Sequence, residues 1–370
     1  MLNIYSPISS LGYGVHGINM IKAFINNNIE INLTPIGQTF LDSYYNKYMQ
    51  VAMNNKFDKN KPSIQIYHSS YANQFTGSPM ISFCVFETTK LLPQEEYHLK
   101  NTVDMIFTTT EEHKKIIENH GITKPIYVIH EGVDSDLYNT EPCTKYIDTD
   151  KFTFITAGKH EERKNTDLVV SSFVKVMQYK QCALIAHTFD PFYQGKGLPW
   201  TDLNIESLGL KGVEENNTYL KYSNGFCDIY FTKPRISVTS MRSLYRSANV
   251  GIYYSRAEGW NLSLIESMAC GIPCIASNVI GHKEYLKNSP QIQQELIVEP
   301  IGMEIANDNK WFKGDRGEWA KMSKKHLYEA IEDIYDNSSK YITPNRDLSL
   351  YYHNNFNWDR PINTISNILE

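Results

Sequence analysis

The sequence has little cysteine, no excess of positive charge and no long hydrophobic run. Six cysteines are scattered through 370 residues, which is not the dense spacing of a disulfide-stabilised domain. Lys and Arg number 36 against 41 Asp and Glu, a net charge of −5, so the basic footprint of a nucleic-acid-binding protein is missing. No stretch approaches the roughly 18–20 apolar residues of a membrane span. These absences argue against a disulfide scaffold, a nucleic-acid partner and a transmembrane segment.

The first residues do not indicate a secretory signal, and the possible metal-ligand patterns do not indicate a metal site. Residues 1–14 lack a basic region followed by an apolar one, so no secretory signal is predicted. With the scattered cysteines this favours a cytoplasmic protein, and peripheral membrane contact stays open. Two D-x-D pairs, at 134–136 and 148–150, are interpreted as turn residues rather than ligands of a divalent ion. No metal site is predicted.

The chain is organised as two similar halves. Its length suggests about two domains at roughly 100–200 residues each. Apolar strand-like runs alternate with helical stretches from residue 2 to 133, and again from 152 to 277. The polar segment 139–150 separates the two series. The pattern predicts two Rossmann-like, doubly wound α/β domains, over 1–148 and 149–345, followed by a helical segment, 346–370.

The stretch 255–277 carries the strongest signal for a binding site. A strand ends near Ser255, a short loop follows, and a helix begins near Leu262. A helix N-terminus presents unpaired N–H groups and a positive partial charge, which suits a diphosphate. Gly259 in the loop permits a ligand to approach the backbone closely.

Two glutamates with seven residues between them belong to the same stretch. Glu258 lies in the loop and Glu266 lies in the helix. One carboxylate could accept hydrogen bonds from sugar hydroxyls while the other reaches ribose hydroxyls. The alternative is an ordinary strand–turn–helix with two surface glutamates.

A basic loop follows the first strand of the second half. Lys159, Arg163 and Lys164 crowd this loop. The forked donor of Arg and the point charge of Lys both suit phosphate oxygens. The alternative is a solvated loop that Glu161 and Glu162 balance. Beside the 255–277 stretch, phosphate binding is the better interpretation.

The segment GYGVHG (12–17) has the G-x-G-x-x-G spacing of a dinucleotide-binding fingerprint. Its first glycine, however, comes several residues after the predicted strand, and no acidic residue follows the second strand. NAD binding is therefore not predicted. A glycine-rich loop that faces the interdomain cleft is predicted instead, before a helix near 16–28.

In combination these residues resemble the retaining glycosyltransferases of GT-B fold, in the large family 4 that includes sucrose synthases and bacterial mannosyl- and glucosyltransferases. The resemblance covers most of the chain and is strongest over 249–286. The E-x7-E signature of the family matches Glu258 and Glu266. The other matching positions are the basic loop with Gly158, Lys159, Arg163, Lys164 and Asn165, the glycine-rich loop Gly12–Gly17, VIHEGVD at 128–134 and FNWDR at 356–360.

This resemblance implies a fold, an activity and a set of site residues. The two domains would face a cleft, and the last helix would cross back to the first domain. The second domain would hold a UDP- or GDP-sugar, and the first a glycan, lipid-linked or small-molecule acceptor. The donor-binding residues would be Gly14, Lys159, Arg163, Lys164, Glu258, Gly259, Trp260, Asn261, Leu262 and Glu266.

By the same resemblance, the chain would be a hexosyltransferase that needs neither a metal nor another cofactor. Arg163 and Lys164 would neutralise the departing diphosphate, and the sugar would be transferred with retention. Glu258 would orient the sugar, and Glu266 the ribose. Exchange of Glu258 or Lys164 for Ala is predicted to depress transfer and leave the fold intact.

One position departs from the family pattern. Many members carry a His at the end of the fourth strand of the first domain, where FCVFETTKL places Glu87. Glu87 would be catalytic through a hydrogen bond to the sugar, or else a structural cap for the following turn. Two alternatives to the transferase stay open, a catalytically inactive scaffold that binds a sugar nucleotide and a GT-B sugar epimerase.

Overall fold

The computed structural model of the chain describes residues 1–192, 201–234, 236–308, 310 and 312–370. None of the described helices is both long enough and apolar enough to cross a membrane. The strands are β1 (Leu2–Ser6), β2 (Ile31–Pro35), β3 (Ser63–Ile66), β4 (Met80–Cys84), β5 (Met105–Thr108), β6 (Ile126–Val128), β7 (Phe152–Lys159), β8 (Cys182–Phe189), β9 (Lys211–Glu215), β10 (Tyr219–Ser223), β11 (Cys227–Thr232), β12 (Val250–Tyr253), β13 (Cys274–Ser277), β14 (Ile297–Val298), β15 (Gly302–Ile305) and β16 (Glu318–Lys321). The helices are α1 (Gly12–Asn26), α2 (Asn46–Asn54), α3 (Pro93–Asn101), α4 (Glu111–Asn119), α5 (Thr166–Met177), α6 (Val238–Tyr245), α7 (Leu262–Ala269), α8 (Ile280–Leu286), α9 (Gln291–Gln294), α10 (Lys324–Asp336), α11 (Arg346–Asn355) and α12 (Asp359–Leu369).

The first half of the chain forms a six-stranded parallel sheet in the order β2-β1-β3-β4-β5-β6. Ile4, Ile64, Ile81 and Ile106 on its central strands have no exposed surface, as expected for a parallel sheet that helices cover on both faces. The strand order reverses between β1 and β3. The loops that follow these two strands therefore face the same crevice.

The second half forms a second sheet in the order β14-β13-β12-β7-β8-β11-β10-β9. Six of its strands are parallel, and the hairpin β9–β10 adds two antiparallel strands at one edge. The hairpin lies within the 190–225 stretch between β8 and β11, in which residues 193–200 lie outside the described part. Without it, the strands follow the Rossmann order 3-2-1-4-5-6, with the reversal between β7 and β12.

The C-terminal segment 346–370, predicted to pack as one unit on the first domain, divides between the two domains. It consists of two helices. α11 packs on α7 of the second domain, where Ser349 Oγ donates to the carbonyl of Ala269 at 2.5 Å. The last helix, α12, packs on α1 as predicted, with Ile362 and Ile365 in the core of the first domain. The chain crosses between domains in the short connection between these helices, because each helix has an apolar face that matches a different core.

The glycine-rich segment also differs from its prediction. Residues 12–17 are not a loop but the first turns of α1. A Cβ on Gly14 would lie 2.4 Å from the carbonyl oxygen of Ser9, and a Cβ on Gly17 would lie 1.9 Å from Ser6 Oγ. These glycines let the helix pack closely on the end of β1, so packing explains them without a ligand.

Candidate active site

The two loops predicted to bind the donor meet at the reversal point of the second sheet. One follows β7 and contains Arg163, and the other follows β12 and contains Arg256. The backbone N–H of Arg256 donates to the carbonyl of Arg163 at 2.7 Å and ties the loops together. In open α/β sheets, ligands bind in the crevice outside the carboxyl ends of the strands at this point.

The carboxylate of Glu258 is the centre of a buried cluster. Arg163 Nη1 donates to its Oε2 at 2.7 Å. Lys164 Nζ and Ser255 Oγ each donate to its Oε1 at 2.7 Å, and Asn261 Nδ2 lies 3.4 Å from that oxygen. Burial alone would raise the pKa of Glu258, but the charges of Arg163 and Lys164 hold that pKa far below its usual value. Glu258 therefore anchors both cations.

Arg163 connects this cluster to the first domain. Its Nε and Nη2 lie 3.1 and 3.0 Å from Glu161 Oε2, and its Nη2 lies 3.6 Å from Glu87 Oε1. Burial lowers the pKa of Arg163, but the carboxylates of Glu258, Glu161 and Glu87 raise it by more. Glu87, which follows β4 of the first domain, thus faces the cation across the domain boundary.

The loop predicted to be basic is electrically balanced. Lys159 forms an ion pair with Glu161, and the three cations of the loop are matched by the carboxylates of Glu161, Glu258 and Glu87. The alternative of a solvent-exposed loop does not describe it either, because Arg163 and Glu161 are buried. Binding of a diphosphate here would depend on exchange of partners within the network rather than on an excess of positive charge.

The N-terminus of α7 lies beside the cluster. Asn261 occupies the N-cap position with φ 78°, and no described side chain caps the helix. Its Nδ2 lies 3.0 Å from His282 Nε2, and His282 Nδ1 lies 2.8 Å from the carbonyl of Ser277. Since the amide donates to Nε2, Nδ1 carries the proton. Burial lowers the pKa of His282 to about 4, so this imidazole is neutral and positions Asn261.

Gly259 and Trp260 contact the first domain. A Cβ on Gly259 would lie 2.4 Å from Val85 Cγ1, and Thr109 Oγ1 donates to the carbonyl of Gly259 at 2.9 Å. The close approach predicted at Gly259 is therefore an approach of the first domain. The indole of Trp260 is 2% exposed and stacks on His130 at 5.5 Å. Its side chain lies in the domain interface and leaves little surface for a donor.

Glu266 is not a surface glutamate. It lies on α7, is 7% exposed, and accepts a hydrogen bond from Tyr245 Oη at 2.8 Å. Burial raises the pKa of Glu266 to about 8, and the nearby charge of Asp134 adds to this rise. The carboxyl group is therefore mostly protonated at neutral pH and can both donate and accept hydrogen bonds.

This buried carboxyl group makes stability depend on pH. Glu266 holds its proton up to about pH 8 in the folded chain, whereas an exposed glutamate in the unfolded chain loses it near its ordinary pKa of 4.5. The folded state thus binds more protons between these values, so the group makes stability fall as pH rises through this window. In the unmodified chain this lowers the free energy of unfolding by an amount on the order of 4 kcal/mol, and Glu266→Gln is expected to abolish that decrease. Chemical unfolding of both proteins at pH 5 and pH 8 measures this, and parallel pH profiles would contradict it.

The first D-x-D pair is held by a lysine. Lys22 Nζ lies 2.8 Å from Asp134 Oδ2 and 3.1 Å from Asp136 Oδ2, which agrees with its interpretation as part of a turn. A different group of described residues has its possible ligand atoms within 4.8 Å of one another: His160, Asp167 and Asp202. That group is separate from the Glu258 cluster and had not been predicted.

Several residues of the cluster were missed in the sequence. Ser255 and Glu161 adjoin the predicted motifs, so their position beside Glu258 and Arg163 could have been suspected. His282 follows Asn261 by 21 residues and carries no local signal. Only the packing of α8 against the loop brings it to Asn261.

Comparison with known families gives a match within the second domain. The model of the family described as "Glycosyl transferases group 1" matches residues 151–307, which include the basic loop, Glu258 and Glu266. The second domain is thus similar to the group 1 glycosyltransferases.

Solved structures with a similar fold cover nearly the whole chain. Sucrose-phosphate synthase from Thermosynechococcus elongatus has a TM-score of 0.65 at 14% identity and covers 99% of this chain and 97% of its own. HepE of Anabaena in complex with UDP-glucose has a TM-score of 0.64 at 12% identity, and the match covers 100% of this chain and 98% of HepE. These similarities confirm the predicted fold of two Rossmann-like domains.

Curated relatives match shorter parts. The D-inositol 3-phosphate glycosyltransferase of Mycobacterium tuberculosis (strain F11) is 25% identical over 183 residues, 48% of this chain and 34% of that protein. The protein of the same name from Paenarthrobacter aurescens is 33% identical over 88 residues, 23% of this chain and 22% of that protein. The matched regions therefore span no more than about a third of these relatives.

Proposed function

We propose that this chain transfers a hexose from a UDP- or GDP-sugar to a hydroxyl group of a glycan, lipid-linked or small-molecule acceptor, with retention and without a metal. The observation that carries this proposal is the meeting of Arg163 and Lys164 on Glu258, directly before the N-terminus of α7. A guanidinium, an ammonium and a helix N-terminus are three groups that bind phosphate oxygens.

The departing diphosphate supplies the charge that these groups stabilise. Lys164 Nζ exchanges Glu258 for a phosphate oxygen, while Arg163 stays with Glu258 and Glu161. This exchange accompanies binding of the sugar nucleotide, so both cations are already in place when charge develops in the transition state. The exchange frees one acceptor position on Oε1 of Glu258 for the donor sugar. The acceptor oxygen forms its bond to the anomeric carbon on the face from which the diphosphate leaves, the bond from that carbon to the phosphate oxygen breaks, and the hydroxyl proton passes to the departing phosphate oxygen.

The acceptor belongs to the first domain in this proposal. The reversal point between β1 and β3 places the rings of Tyr13 and His68 next to each other, with 4.9 Å between their centroids. Tyr13 Oη donates to the carbonyl of Val85 at 2.6 Å, near Glu87. Aromatic rings with polar edges suit a sugar or another polyol, and Glu87 can accept a hydrogen bond from the reacting sugar.

UDP-glucose is the first donor to test, because HepE was solved with it. UDP or GDP at about 100 times its dissociation constant is expected to stabilise the chain by about 2.7 kcal/mol, equally with magnesium and with EDTA. Release of the nucleotide from its sugar conjugate then measures turnover. A strict magnesium requirement would contradict metal independence, and binding without turnover would favour the inactive scaffold. Failure of every nucleotide and nucleotide sugar to stabilise the chain would overturn the proposal.

A further inference from the structure

A cavity of about 160 Å³ lies at the amino-terminal ends of the strands of the second sheet. Three segments line it: the interdomain segment with Cys143 and Lys145, the turn from α6 to β12 with Arg246 and Asn249, and the chain before α11 with Thr343. The candidate active site lies at the carboxyl ends of the strands. The two sites thus lie at opposite ends of strand β7. At about 3.3 Å per residue, its eight residues put the two ends roughly 23 Å apart.

The lining of this cavity is cationic, and none of its residues is acidic. Among the described residues, no carboxylate lies within ion-pairing distance of Lys145 or Arg246. Arg246 Nη1 donates to the carbonyl of Cys270 at 3.3 Å, but its Nε is buried and has no hydrogen-bond partner in the described chain. A buried donor without a partner is uncommon in native proteins.

One neutral residue of the lining, Asn249, adds hydrogen-bond donors. Asn249 accepts the backbone N–H of Thr153 with its Oδ1 at 2.9 Å, so its remaining polar group is an NH2 donor. The cavity thus combines a guanidinium, an ammonium and an amide. A forked guanidinium beside an ammonium matches the several oxygens of one anion.

We propose that this cavity binds a small phosphate-bearing anion, either inorganic phosphate or the phosphate group of a small monoester. Cavities that hold drug-sized ligands have roughly 300–1,000 Å³, so this one is too small for a nucleotide sugar. The bound anion bridges the segment between the domains and the chain that leads into α11. The site is independent of the proposed transfer reaction.

Cys143 provides a direct probe of occupancy. It is half-buried and lines the cavity, whereas the other five cysteines are buried. Modification by a thiol reagent in the native protein therefore reports on Cys143, and Cys143→Ser verifies the assignment. At ten times its dissociation constant, phosphate leaves about a tenth of the sites open, so modification should slow about tenfold at constant ionic strength.

Three variants separate this cavity from the active site. Arg246→Gln is expected to abolish protection by phosphate. Lys164→Gln, which removes a cation of the Glu258 cluster, and Arg242→Gln, an arginine of α6 that does not line the cavity, are expected to retain it. Glycerol 3-phosphate replaces phosphate in a second arm. Protection by both identifies a monoester site, and protection by phosphate alone identifies a site for the free ion.

The opposite results overturn the proposal. They are no protection in the unmodified protein, equal protection in Arg246→Gln, or loss of protection in Lys164→Gln. The last would show that phosphate acts through the Glu258 cluster. Because Arg246 is partly exposed, its Gln variant is expected to fold, and its melting temperature without phosphate checks this.

Discussion

Lys164→Gln is expected to lower kcat/KM for sugar transfer by about 10²–10³, the usual cost of removing one preorganised donor from developing negative charge. Lys164 Nζ lies 2.7 Å from Glu258, beside the N-terminus of α7. In the proposed mechanism it is the cation that moves to the departing diphosphate. Steady-state kinetics with UDP-glucose, or with whichever sugar nucleotide proves active, measures the change.

Lys180→Gln is the matched control for this prediction. Its amine forms an ion pair with Asp336 on the surface, at 2.7 Å, so its removal should leave kcat/KM unchanged. A near-normal kcat/KM in Lys164→Gln would remove Lys164 from leaving-group stabilisation. A loss of kcat/KM that comes entirely from a rise in KM would show that Lys164 binds the ground state and the transition state equally.

Glu258→Ala is expected to lower the free energy of unfolding by about 3–5 kcal/mol, because breaking a buried ion pair leaves the opposite charge without compensation. Arg163 is 4% exposed, and Glu258 is 3% exposed. The sequence predicts that this exchange leaves the fold intact, and the burial of both side chains adds the expectation that the fold becomes less stable. Chemical unfolding followed by circular dichroism measures the difference.

Two variants test whether the buried charge is the cause. Glu162 pairs with Arg256 at 3.0 Å but is exposed, so Glu162→Ala should cost less than about 1 kcal/mol. Glu258→Gln keeps the shape and an acceptor oxygen but removes the charge, and its cost should lie between those of the two Ala variants. If Glu258→Ala unfolds like the unmodified chain, its carboxylate is not the anchor of the cluster.

Much of the second domain could be predicted because its signals are local. The run CALIAHTF predicts a strand over 182–189, which is β8 as observed. The loop and helix predicted around Glu258 are also present, and the helix begins at Leu262 as expected. In the first domain, Thr110 before the run EEHKKIIENHG predicts a helix cap, and Thr110 Oγ1 accepts the N–H of His113 at the start of α4 at 3.0 Å. In each case a few consecutive residues carry the whole signal.

Predictions failed where two distant segments determine the outcome. The spacing of the glycines at 12–17 suggested a loop, but contacts with Ser6 and Ser9 decide their role. The periodicity of 346–370 indicated helix but not which domain each part would cover. The spacing of Glu266 gave no sign of its burial under Tyr245, which depends on the packing of α6 against α7.

The sequence by itself determined the two alternating α/β series, the loop before α7 and the residue types that meet there. These features follow from the period of apolar residues, from turn chemistry and from motif spacing, all of which are local. Only the tertiary structure decided that Arg163 meets Glu258, 95 residues later, that Glu87 faces Arg163 from the other domain, and that the loop is charge-balanced. Charges interact through space, so their partners are set by the packing of strands and loops that no short stretch of sequence describes.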